Sequence, residues 1–350
     1  MHQAAVCFGA LALDLGGGGV STYERQLIDA LADGIDPTVE LSAVVQRSTA
    51  RCLPSRVSPR MRADSAGVRR AMQGKLPVSG AGIFHSLDAD LPMWGPRATV
   101  TTIHDLSVFD VPWAFSKLRA VGERQLVADA LRRADEVIAV SDFTAQRIKD
   151  LFGRTAHVTP LAPAGWTRIP APAEVDEVRS RLQLPDRFVL HVGTVEPRKR
   201  PEVVAEACQA AGLPFVMAGS GSQGPNAPES AIGLGYVDSD DLPALYRAAT
   251  VVTYASVYEG FGLPPLEAMA CGGVVVASRV GALNDVVGDG GMLVDGSRPE
   301  DWAPVLAEIA GDEATRDELR VRGVLNAEKF SWQQTADLTM GVYAALGVTA

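Results

Sequence analysis

Runs of apolar and β-branched residues alternate along this chain with stretches of helical periodicity. In the first half the apolar runs lie at 4–10, 39–45, 83–87, 99–103 and 136–140, and helical patterning fills 20–31, 116–133 and 142–151. The second half restarts with runs at 188–192, 215–218, 251–254, 274–277 and 292–294. This alternation predicts parallel sheets covered by helices on both faces, and two such sets predict two open α/β domains. Between the sets, residues 160–172 carry Pro160, Pro163, Pro170 and Pro172, a density that suits a linker rather than an element. The expected boundary lies near Ala164, giving domains 1–164 and 165–330. A last helical stretch, 331–346 within 331–350, follows a complete second set and would pack back across the first domain. No internal repeat or low-complexity tract interrupts the scheme.

The segment 258–272 sets Glu259 and Glu267 eight positions apart around a Gly-rich turn and a helix start. Pro264 and Pro265 suit a first helical turn, where a missing N–H costs nothing, and Gly272 suits the far cap. Glu259 then precedes a helix of about two turns, and Glu267 lies about one turn in, with the backbone of Gly260, Phe261, Gly262 and Leu263 between them. Amides at a helix start favour an anion, and carboxylates accept hydrogen bonds from hydroxyls. The pair would therefore grip a molecule that carries both phosphates and sugar hydroxyls. A surface loop with an acid near a helix start is the alternative.

Ligands of open α/β sheets sit at the carboxyl ends of strands, which directs attention to the other loops. After the first strand come Gly16, Gly17, Gly18 and Gly19, which would let backbone approach a phosphate or a sugar, or would serve as a hinge. After the first strand of the second half come Gly193, Thr194, Val195, Glu196, Pro197, Arg198, Lys199 and Arg200. Arg198 and Lys199 would hold a diphosphate through charge-assisted hydrogen bonds, because cations at a helix start oppose its dipole unless an anion is present. Residues 219–224 match GxGxxG in form, but Pro225 and Pro228 forbid the helix that this fingerprint requires. His104, at the end of the strand 99–103, would donate to a sugar or phosphate oxygen, or be a buried histidine fixed by Asp105.

The chain has 350 residues, of which 47% are hydrophobic and 21% charged, as in globular proteins of two domains. Its net charge of −10 disfavours nucleic acid as a partner. One segment, 47–75, departs from that average: Arg47, Arg51, Arg56, Arg60, Arg62, Arg69, Arg70 and Lys75 face a single acid, Asp64. It would meet an anionic membrane or a phosphorylated acceptor, or remain a solvated loop. Cys7, Cys52, Cys208 and Cys271 have no metal or disulfide spacing, and the histidines form no ligand cluster, so no structural metal is expected. No apolar run reaches the ~18 residues of a membrane span, and no basic segment precedes the first apolar stretch. A cytoplasmic protein is expected, peripheral at the membrane if the basic segment binds there.

Taken together, the Gly-rich first loop, residues 102–106 (TIHDL), 139–141 (AVS), 192–199 (VGTVEPRK), 234–237 (LGYV) and 258–272 with its E-x7-E spacing resemble a known family. It comprises the retaining glycosyltransferases of GT-B fold, family 4 or group 1, which include mannosyltransferases of lipid and polysaccharide assembly. The likeness runs through nearly the whole chain. It implies two Rossmann-like domains facing a cleft, acceptor side first and donor side second. It implies that Arg198 and Lys199 bind the donor diphosphate, Glu267 the ribose hydroxyls, and Glu259 with the 260–262 backbone the donor sugar. Gly193 and Thr194 would belong to the donor loop, and Tyr236 and Val237 would line the base pocket. Gly18 and Gly19 would approach the diphosphate, and His104 would face the transferred sugar. Arg200, Val274 and Asp285 depart from the family's usual Asn, Pro and Glu.

The resemblance further implies transfer of a hexosyl group, with mannosyl from GDP-mannose the expected donor, to a glycan or lipid-linked acceptor without a metal or other cofactor. A retaining route through a carboxylate nucleophile would need a second acid at about 5 to 5.5 Å. The resemblance implies instead front-face attack, with the departing phosphate oxygen taking the acceptor proton. A nucleotide-sugar epimerase of similar architecture would need an acid and base that the chain does not display beyond His104. A non-catalytic nucleotide-sugar-binding protein is the remaining alternative.

Overall fold

Val6, Cys7 and Phe8 are fully buried in β1 (Ala5–Gly9), which pairs in parallel with β2 (Glu40–Gln46) on one side and β4 (Ile83–Ser86) on the other. In the computed structural model, residues 5–14 and 18–347 are described. The chain divides into two units, one formed by the residues up to Leu161 with those from Ser331 onward, the other by Ala162–Phe330. That division falls three residues before Ala164.

The first unit's sheet is completed by β3 (Val57–Arg62), β5 (Ala98–Ile103), β6 (Glu136–Ala139) and β7 (His157–Val158), in the order β3-β2-β1-β4-β5-β6-β7 with every pair parallel. Its helices are α1 (Gly19–Gly34), α2 (Gly67–Gly74), α3 (Ser107–Asp110), α4 (Lys117–Arg133) and α5 (Asp142–Phe152). Ser116 and Ser141 accept from backbone amides at the starts of α4 and α5, and left-handed Gly153 ends α5.

The second unit contains α6 (Pro172–Arg181), β8 (Val189–Val192), α7 (Pro201–Ala211), β9 (Phe215–Ala218), β10 (Ala231–Gly235), α8 (Leu242–Ala248), β11 (Val251–Tyr254), α9 (Leu263–Ala270), β12 (Val275–Ser278), α10 (Leu283–Val287), β13 (Met292–Val294), α11 (Pro299–Gly311) and α12 (Glu313–Ala327). Its parallel sheet runs β10-β9-β8-β11-β12-β13. The final helix, α13 (Trp332–Ala345), packs on α1 of the first unit and is capped by Ser331.

In both sheets the strand order reverses beside the first strand of the set, β1 or β8. Loops leaving the carboxyl ends there diverge and open a crevice, which puts the loops after β8 and β11 side by side.

Strands β3, β7 and β10 lack the apolar runs that mark the others. All three are sheet edges, where one side of the backbone has no partner strand, so Pro59 is tolerated in β3 and two glycines in β10. The segment 47–75 is therefore a 3-10 turn (Arg47–Cys52), an edge strand and a helix rather than a solvated loop. Residues 219–224 are turns leading to β10, with no helix behind them.

Candidate active site

β8 delivers the chain to Gly193, whose φ of +145° a side chain would resist and whose N–H donates to Ala218 O at 2.9 Å. Gly219, at φ +120°, lies so close that a β-carbon there would stand 2.5 Å from Gly193 O. After this contact the chain makes a 3-10 turn, Pro197–Lys199, and passes through left-handed Arg200 into α7. Arg200 has no glycine's freedom at φ +49°, and its guanidinium donates to Ser297 O at 2.9 Å.

The turn places Arg198 against the loop after β11. Arg198 Nε meets Glu196 at 2.9 Å, and Nη1 meets Glu259 at 3.2 Å and Tyr258 O at 3.0 Å. The backbone joins in, with Val257 N–H donating to Arg198 O at 2.8 Å. Glu259 is held from the other side by Ser256, whose hydroxyl donates to it at 2.7 Å. Burial pushes the Glu259 carboxyl up, but Arg198 and Lys199, helped by Ser256, hold it net below its ordinary value. Lys199 is lowered as well, but by burial, which the nearby carboxylates of Glu259 and Glu196 only partly offset. Arg198, Lys199 and Glu259 are thus gathered in one charged cluster on two loops about 60 residues apart, as the 60-residue separation of Arg198 and Tyr258 shows.

Glu267 stands apart from this cluster. It is 8% exposed on α9, and burial raises its pKa to about 8 although a backbone hydrogen bond at Ala164 works against the rise. Gly262 starts that helix at φ +105°, where a β-carbon would collide with Leu283. Gly260 and Leu263 are buried, and Phe261 packs edge-on against Phe330 at 5.9 Å. Thr194 is exposed on the loop after β8; Tyr236 is exposed and Val237 buried beyond β10.

In the first unit Gly18 and Gly19 are exposed at the start of α1; Leu15, Gly16 and Gly17 lie outside the described residues. His104 Nε2 donates to Leu87 O at 2.8 Å, and the ring packs edge-on against Tyr23 at 4.7 Å. Asp105 does not fix it, because its carboxylate accepts from the Ser107 N–H and hydroxyl at 2.9 and 2.6 Å. With Nε2 committed to that carbonyl, Nδ1 is the ring nitrogen left to meet a ligand. Behind Tyr23 a buried chain runs from its hydroxyl to Thr102 (2.9 Å), on to His85 Nε2 (2.8 Å), and from His85 Nδ1 to Tyr343 of α13 (2.6 Å).

Glu196, Ser256 and His191 belong to the cluster's surroundings but carried no assigned role in the sequence. Glu196 and Ser256 have a sequence signal only in flanking Arg198 and Glu259. Among the described residues no group of three or more His, Cys, Asp or Glu side chains is arranged to hold a metal, and no helix is long and apolar enough to cross a membrane.

Two parallel-sheet Rossmann-like units, with a cation and carboxylate cluster at the switch point of the second, define a GT-B glycosyltransferase. Residues 174–329 match the family model "Glycosyl transferases group 1". The chain is 34% identical to the O-antigen chain mannosyltransferase B of Escherichia coli over 75% of its own length and 74% of the relative's. It is 33% identical to the D-inositol 3-phosphate glycosyltransferase of Actinosynnema mirum, over 72% of this chain but 66% of that one. Its backbone superposes on sucrose-phosphate synthase from Thermosynechococcus elongatus with a TM-score of 0.76, covering 99% of each chain at 22% identity, a likeness of fold. The chain belongs to the group 1 glycosyltransferases.

Proposed function

We propose that this glycosyltransferase moves a mannosyl group from GDP-mannose to a glycan or lipid-linked acceptor, with retention and without a metal. The observation that carries the reading is the Arg198, Lys199 and Glu259 cluster beside Gly193. Transfer breaks the bond between the anomeric carbon and the phosphate oxygen, leaving negative charge on the diphosphate. A guanidinium and an ammonium already held by neighbouring carboxylates stabilise that charge without reorganising. The acceptor oxygen forms its bond on the face the phosphate leaves, and its proton passes to the departing phosphate oxygen. Glu259 accepts from donor-sugar hydroxyls, and Glu267 from the ribose. His104, with Nε2 committed to Leu87 O, would face the transferred sugar through Nδ1. The mannosyl assignment is supported by similarity to the O-antigen mannosyltransferase.

The test is calorimetric binding of GDP, UDP and dTDP in EDTA, followed by turnover of GDP-mannose with and without acceptor. Selective GDP binding and acceptor-dependent transfer are expected. Conversion of the donor alone would indicate an epimerase, and turnover near the wild-type rate in both Arg198→Ala and Glu259→Ala would sink the site assignment.

For the membrane contact the structure narrows the candidates. Arg56 donates to the carbonyls that end α1, Arg60 to Ser79 O, Arg62 to Pro77 O, Lys75 pairs with Asp129, and Arg70 lies 3.8 Å from Asp88. The contact would fall to Arg47 and Arg51 on the 3-10 turn and to Arg69, which shares α2 with exposed Val68 and Met72. Equal pelleting of the protein with neutral and anionic vesicles would remove it.

A further inference from the structure

His191 sits on β8 two residues before Gly193, 1% exposed, and takes no part in the chemistry above. Its Nδ1 lies 3.1 Å from Thr253 O. A carbonyl oxygen only accepts, so Nδ1 carries the proton and Nε2 is a bare lone pair. That Nε2 is buried and has no hydrogen-bond partner. An orphaned buried acceptor costs about 1 to 3 kcal/mol, so its presence needs a reason. The environment supplies one. A β-carbon built on Gly193 would stand 2.9 Å from Lys199 Nζ and 3.8 Å from His191 Nε2, so the lone pair and the ammonium flank the same α-carbon. The imidazole cannot serve the diphosphate directly, since both are acceptors. It can serve only a donor, and the cation beside it is Lys199.

We propose that His191 is the positioning residue for Lys199: when the donor binds, the ammonium turns so that Nε2 takes one of its hydrogens and the other two are aimed at the diphosphate. This rests on the donor reading of the site. The groups facing Lys199 are Glu259 on the loop after β11, Glu196 and Arg198 on its own turn, and His191 on β8. Burial keeps His191 neutral, with its pKa lowered to about 4, so the lone pair is present throughout the working range. An acceptor there favours the charged lysine. Without it the ammonium loses its proton at lower pH, and the alkaline limit of diphosphate binding moves down with it.

Two substitutions separate this role from a structural one. His191→Asn retains a donor for Thr253 O but places nothing at Nε2, whereas His191→Gln offers an amide oxygen near Nε2 and gives up the Thr253 bond. The measurement is calorimetric binding of inorganic pyrophosphate and of GDP from about pH 6 to about pH 10, the range below the ordinary lysine pKa. The Asn variant is expected to lose binding at a pH about one unit lower than wild type, hence roughly tenfold affinity on the alkaline side, while Gln tracks wild type. Identical pH profiles for wild type and both variants, or loss in Gln with Asn unaffected, would overturn the role of His191 and leave the donor reading standing. Failure of wild type to bind pyrophosphate, GDP, UDP or dTDP at any pH would remove the donor reading and this inference together.

Discussion

Replacing Glu267 by Gln should make the protein more stable and worse at its task. The folded carboxyl titrates near 8 because it is buried, while an ordinary glutamate titrates near 4.5. Between those values the folded protein holds a proton that the unfolded chain has released. Stability therefore falls as pH rises through the window, by about 1.4 kcal/mol per pH unit. From pH 4.5 to pH 7 the loss is roughly 3 kcal/mol, and it levels off above pH 8. Glutamine has nearly the same shape and no such titration, so Glu267→Gln should match wild type near pH 4.5 and exceed it by roughly 3 kcal/mol at pH 7. Urea unfolding followed by circular dichroism at several pH values measures the difference. On the proposed reading, in which Glu267 accepts ribose hydroxyls, nucleotide binding favours the ionised carboxylate against that burial and should release a proton near neutrality. Calorimetry in buffers of different ionisation enthalpy detects that proton, and the Gln variant should lack it. A stability difference that stays constant from pH 5 to pH 8 would refute the reasoning, because Glu267 would then titrate as an exposed residue does.

Three further outcomes follow from the geometry. Gly219→Ala drives a β-carbon to 2.5 Å from Gly193 O at φ +120°, so it should cost about 1 to 3 kcal/mol in urea unfolding and, on the proposed reading, weaken GDP binding by disturbing the loop after β8. Arg200→Gly and Arg200→Ala both lose the bond to Ser297 O, but only glycine relaxes the left-handed backbone; the Gly variant should be more stable than the Ala variant by about 1 kcal/mol in thermal unfolding. Tyr343→Phe deprives buried His85 Nδ1 of its partner and should cost about 1 to 3 kcal/mol, with an unchanged unfolding midpoint counting against that bond.

Much of the site is legible without coordinates. Pro264, Pro265 and Gly272 mark the bounds of α9 because imino nitrogens suit a first turn and a left-handed residue suits an end, and Leu263–Ala270 is the helix found. Those are local rules, so Glu259 before the helix and Glu267 one turn inside it follow from spacing. Edge strands β3, β7 and β10 were not legible, because half-exposed strands need no apolar run. The alternative in which Asp105 fixes His104 fails for a related reason. Adjacent residues in a turn point in directions that spacing alone does not specify, and Asp105 bonds forward to Ser107.

What the sequence determined by itself is the run of apolar strands, the parallel α/β class and the family to which the chain belongs. Apolar periodicity, prolines and glycines act over a few residues and are written in order along the chain. What only the tertiary structure decided is which charges meet. Arg198 reaches Tyr258 and Glu259 because β8 and β11 are neighbours across the reversal of strand order, and His191 Nε2 and Lys199 Nζ both come close to Gly193. The pKa values of Glu259, Glu267 and His191 depend on that same placement, since a charge is shifted by the distance and dielectric of its surroundings, and neither exists until the chain has folded.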